Sequence, residues 1–191
     1  MYYKIIFFLF FLLYQNITYS KATDTKDFNQ KYLSNYFSAL VAFDNQKNDK
    51  AIKFFNSSKF LIKKHDNFLR EYVFSLVLDG QVKQAIKQIK ISKHSKNSNF
   101  FEANLLLTLD SLTKKKYQQA SKGLDKLLTF QEDGTYEFVI IKSLENYNYL
   151  FHNKKIKKKN GNLGTIDSIT DAFQNCYLNS NKTNSHFLNI I

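Results

Sequence analysis

The sequence predicts an all-α protein, an α–α superhelix of helical hairpins behind a cleaved N-terminal leader. Three observations predict it. The 191 residues include no proline and only five glycines, where average usage gives roughly nine or ten prolines and thirteen glycines. Helix breakers and β-corner residues are therefore nearly absent, which argues against a turn-dense β-sandwich. An alanine-centred segment recurs at intervals of 34 and 35 residues. Between recurrences, apolar residues return every three or four positions, the period of a helix face. At 43% hydrophobic and 23% charged, the chain carries enough apolar side chains for a core, so wholesale disorder is excluded.

The first element is a leader. Met1-Tyr2-Tyr3-Lys4 precedes nine apolar residues, Ile5 to Leu13, and a polar stretch to Ser20. As a helix, that apolar run spans about 14 Å against roughly 30 Å of membrane hydrocarbon. One positive charge, a short apolar core and small residues beyond it mark residues 1–20 as a secretory signal peptide, cut after Ser20 or Ala22. Export to the periplasm, or secretion, is the expected destination. Residues 21–30 follow as a short polar linker. Cys176 is the only cysteine, so no disulfide forms within the chain in any compartment.

Residues 31–131 carry three repeats. Lys50-Ala51-Ile52-Lys53 returns as Gln84-Ala85-Ile86-Lys87 and as Gln119-Ala120-Ser121-Lys122, and the large apolar residues Phe55, Ile89 and Leu124 stand four positions after the alanines. A small residue lets a neighbouring helix approach, and the large one a turn later fills the space beside it. This spacing resembles the tetratricopeptide repeat, a helical hairpin of 34 residues. Echoes of the family's first helix are Tyr36, Ala39, Leu40 and Phe43, then Leu69, Tyr72, Val73 and Leu76, then Leu105, Thr108, Leu109 and Leu112. From the last of each set to the alanine the step is eight residues in repeats one and three and nine in repeat two. Either two interhelix turns are one residue short, or the register of the first helices is slipped. The family's tryptophan and closing proline are absent.

Residues 132–151 read as the first helix of a fourth repeat, with Tyr136, Val139, Ile140, Leu144, Tyr147 and Phe151 on its apolar stripe. Residues 152–164 form a basic loop. Residues 165–191 complete the fourth repeat and begin a further helix. Thr165 is the expected N-cap, and Ala172 and Cys176 repeat the small-then-larger spacing, which places Cys176 in the core. Phe187, Leu188, Ile190 and Ile191 leave an apolar end suited to self-association.

No constellation for chemistry emerges. The histidines at 65, 94, 152 and 186 have no ligand-spaced partner, Gly161-Asn162-Leu163-Gly164 lacks the rest of a phosphate loop, and no nucleophile elbow occurs. Neither catalysis, a cofactor nor a metal is expected. The net charge of +12 sets 27 lysines and a single arginine, Arg70, against 16 aspartates and glutamates. Arginine's planar fork is the better reader of phosphates and bases, so a nucleic-acid partner is not expected. Lys154, Lys155, Lys157, Lys158 and Lys159 form a candidate patch for anionic lipid or polymer. Resemblance to the repeat family implies a non-catalytic scaffold that binds a protein or peptide in the cell envelope. The alternatives are an accessory module of a larger envelope enzyme, or a peripheral binder of anionic surfaces through the lysine run. If the leader is cleaved, mass spectrometry of the protein from its host will find a chain beginning at Lys21 or Thr23; an intact Met1 in the membrane fraction would contradict that.

Overall fold

The computed structural model describes residues 29–132, 135–158 and 164–190. The expected signal peptide, most of the linker, Lys159 and Ile191 lie outside them. The chain divides into two units, residues 1–31 and 32–191. In the first, Asn29 caps the opening helix, its Oδ1 accepting from the Lys31 N–H at 2.9 Å.

Among the described residues there are nine α-helices and no strand, so the fold is all-α. They are α1 (Gln30–Asp44), α2 (Asn48–Ser57), α3 (Phe68–Leu78), α4 (Val82–Ile91), α5 (Phe101–Thr113), α6 (Tyr117–Leu127), α7 (Tyr136–Asn153), α8 (Thr165–Tyr177) and α9 (Thr183–Leu188). A short 3₁₀ turn follows each of α2, α4 and α6, at Lys59–Lys63, Lys96–Ser98 and Leu128–Phe130.

One turn recurs between paired helices. Gln46, Gly80 and Lys115 take left-handed backbone with φ of 59°, 77° and 58°. The next N–H then reaches back five residues: Lys47 to the Ala42 carbonyl at 2.9 Å, Gln81 to Leu76 at 2.7 Å and Lys116 to Ser111 at 2.9 Å. This closure satisfies carbonyls that a helix end leaves open. All three turns are therefore equal in length. Ala42, Leu76 and Ser111 are buried, each nine positions before its alanine, whereas Phe43 and Leu112 are only half-buried and Leu109 is exposed. The irregular spacing in the sequence is thus a one-residue slip in the first helices of repeats one and three.

Small side chains set the closeness of the pairs. Ala39, Ala51, Ala85 and Ala120 have no exposed surface. On α6, Gly123 lies against Thr108 of α5, so tightly that a Cβ on the glycine would come within 2.3 Å of Thr108 Oγ1. Between α1, α2 and α3 the space is filled by rings. Tyr36 stacks on Phe68 at 5.2 Å, and Phe55 meets Phe68 edge-on at 5.2 Å and Tyr72 at 5.5 Å. The Tyr72 hydroxyl donates to Asn56 Oδ1 at 2.7 Å, which keeps its polar tip paired. A second apolar cluster joins Phe101, Leu124, Leu127 and Ile141 across α5, α6 and α7.

The C-terminal helices depart from expectation. On α7 the buried residues are Ile141, Asn148 and Leu150, while Tyr136 is exposed. Helix α8 starts at Thr165 itself, with Gly164 before it at φ 63° as the cap. It ends in the recurring turn, Asn179 at φ 52° and the Ser180 N–H on the Asn175 carbonyl at 2.9 Å. That turn joins it to α9, so α8 has the ending of a first helix rather than that of α2, α4 or α6. Cys176, expected in the core, is exposed.

Adding a methyl at Gly123 removes a helix glycine worth about 1 kcal/mol but overpacks the α5–α6 contact at a cost of about 1–3 kcal/mol. Gly123→Ala should therefore destabilise the protein in a urea titration, and the same change in a Thr108→Ala background should stabilise it. No sign reversal would mean that the close approach is absent.

Candidate binding groove

The six residues singled out at the repeat spacing all lie inside: Ala51, Phe55, Ala85 and Ala120 are fully covered, and Ile89 and Leu124 nearly so. The described lysines of the 154–158 run have different surroundings. Lys154 adopts left-handed backbone at the end of α7, and its Nζ donates to the Tyr177 hydroxyl. That hydrogen bond holds the Lys154 amine above its ordinary pKa. Lys157 pairs with Glu145 at 3.5 Å, and Glu145 also holds Lys142 at 3.3 Å. Lys155 and Lys158 stay exposed.

A groove of ≈ 490 Å³ opens between α4 and α5, lined by Lys83, Ile86, Lys87, Lys90, Ile91, Asp110 and Lys114. Lys83, Lys87 and Lys90 fall on one face of α4 because they are four and three residues apart. The Ile86 and Ile91 side chains supply apolar wall, and Ile91 is 65% exposed. Asp110 is the groove's one carboxylate. Lys114 reaches it at 2.6 Å from one turn on, and Lys90 at 2.7 Å from across the groove. Hydrogen bonds from Lys114 and Lys90 hold its carboxyl below the usual aspartate range. Four lysines thus surround one acid, and the groove attracts anionic groups while offering an apolar wall. Ile86 and Lys87 belong to the recurring alanine-centred segment; Lys83, Lys90, Ile91, Asp110 and Lys114 do not, and the lysine spacing along α4 is the signal that marks the groove.

Two other concavities flank the body. One of ≈ 720 Å³ lies along α1 and α2, bordered by Phe37, Val41 and Phe54 with Lys47 and Lys50. The other, ≈ 270 Å³ between α6 and α7, is polar and includes Asp125, Glu145, Asn148, His152 and Lys157. His152 stacks on Tyr117 at 5.6 Å, and His65 packs on Tyr36 at 4.8 Å. Among the described residues no three histidines, cysteines or carboxylates come together as a metal site, and no helix is long and apolar enough to cross a membrane. Compared with protein families, curated proteins and solved structures, the chain finds no match.

Asp110's depressed value lies below that of the unfolded chain. Its carboxylate therefore stabilises the fold above about pH 4, and the contribution is lost as the pH falls through the depressed value. Each pair is half open to solvent on the lysine side, a setting worth roughly 0.2–1 kcal/mol. Asp110→Asn should be less stable than the parent by about 1 kcal/mol at pH 7, with the gap narrowing at about pH 3, below the unfolded aspartate value. Parallel denaturation curves at both pH values measure this.

Proposed function

We propose that the chain is a non-catalytic repeat scaffold of the tetratricopeptide type that holds a segment of another protein, with the N-terminal leader directing it to the cell envelope. The observation that carries this proposal is the three-fold recurrence of one unit. In each, a helix, a left-handed turn at Gln46, Gly80 or Lys115, and a second helix with a buried alanine five residues on follow in the same register. Such units bury their apolar faces only against neighbours, so stacking leaves long surfaces on which a partner can lie. The α4–α5 groove supports a more specific occupant. Its lysines favour a segment with two or more carboxylates, and Ile86 and Ile91 favour an apolar side chain between them. The charges set orientation and encounter rate, and the apolar contact supplies desolvation.

Fluorescence anisotropy with labelled peptides tests this. An acidic peptide bearing one or two leucines should bind saturably and weaken with salt, and its basic counterpart should not bind. Lys87→Glu should weaken the acidic peptide roughly tenfold and leave the circular dichroism unchanged. Equal affinity for the two peptides, or no effect of Lys87→Glu, would rule the groove out.

A further inference from the structure

Helix α8 is turned inside out. Its buried side carries Thr170, Gln174 and Asn175 around Ala172, and the Gln174 Nε2 is buried without a hydrogen-bond partner. Its outward side carries Ile166, Ile169, Phe173 and Tyr177, all exposed, with Phe173 at 54%. These four recur at steps of three and four, so they form one continuous apolar stripe. Phe187 of α9 extends it by packing on Phe173 at 5.6 Å, and Leu188 beyond is 72% exposed. Rolling α8 by half a turn would hide the stripe and release Gln174 to water. The observed orientation leaves a polar group orphaned and apolar side chains wet, both at a cost. An outer surface that covers the stripe would offset this.

The neighbouring chain says what that surface is. The lysine run meets the stripe directly at Tyr177, where Lys154 donates to the hydroxyl and lies 4.7 Å from the ring centre. Phe151 packs on the same ring at 5.1 Å. Lys155 and Lys158 make no ion pair among the described residues, and Ile156, between them, is exposed. An exposed apolar stripe with Lys154 against the tyrosine at its end, and the unpaired Lys155 and Lys158 next along the chain, matches an interface of hydrocarbon beneath anionic headgroups. A lipid surface needs no pocket, because acyl chains conform to a stripe. We propose that α8 and the preceding lysines form an interfacial membrane-binding element that lays Ile166, Ile169, Phe173 and Tyr177 into an anionic bilayer, with Lys155 and Lys158 at the headgroups. It shares no residue with the α4–α5 groove, so the protein can hold its partner at a membrane.

Cys176 reports on this element alone, because it is the chain's only cysteine and is exposed on α8. The full chain, labelled there with an environment-sensitive fluorophore, is titrated with vesicles of phosphatidylcholine, with or without phosphatidylglycerol. With phosphatidylglycerol the emission should rise and shift to the blue; without it the titration should need far more lipid. Lys155→Gln with Lys158→Gln should weaken partitioning about 30-fold, at roughly 1 kcal/mol per lysine. Phe173→Ser should weaken it as well, with circular dichroism unchanged. An unchanged spectrum with anionic vesicles overturns the proposal, as does equal partitioning onto neutral ones. A blue shift without lipid that grows with protein concentration, alongside a doubled mass in light scattering, would also overturn it and assign the stripe to a second copy of the chain.

Discussion

Close approach of paired helices is the constraint on which the rest depends. Ala51, Ala85 and Ala120 have no exposed surface, so a larger side chain at any of them would overpack the helices around it. That spacing decides what can lie between pairs: the ring cluster of Tyr36, Phe55, Phe68 and Tyr72 occupies the seam formed by α1, α2 and α3. It also accounts for Gly123. A glycine inside a helix is unfavourable by itself, and here it gives Thr108 room to stay buried and donate to the Asn104 carbonyl at 2.8 Å.

Polar groups follow from the same geometry. Ser58 sits seven residues after Ala51, fully buried, and returns its hydroxyl to the Phe54 carbonyl at 2.8 Å. Ser75 and Ser111 do likewise on α3 and α5. These side chains meet their hydrogen-bonding needs within their own helix, so a narrow gap accommodates them without a partner opposite. Gln174 on α8 has no such local solution for its Nε2.

The second helices are the most legible part of the sequence, because a buried alanine and a large residue one turn later are both required by a local contact. The first helices are harder to place. Their innermost positions include Ala42 and Ser111, while the bulkier Phe43 and Leu112 beside them lie at the margin; size draws the eye one residue too far. Helix α8 exposes the limit of periodicity. The small-then-larger spacing of Ala172 and Cys176 puts both inside, yet only Ala172 is buried and Cys176 is exposed. The α4–α5 groove depends on Asp110 and Lys114 lying across from Lys90, a pairing between two helices that no single window of sequence contains.

The nearest-neighbour packing of α3 on α4, α5 on α6 and α6 on α7 has a kinetic consequence. Contacts between residues close in sequence need little loop closure before they form, so chains built from them cross their folding barrier in microseconds to milliseconds. The complete absence of proline also removes peptide-bond isomerisation, which otherwise adds phases of tens of seconds. Each pair can assemble as soon as its own residues are free, without waiting for the chain beyond it.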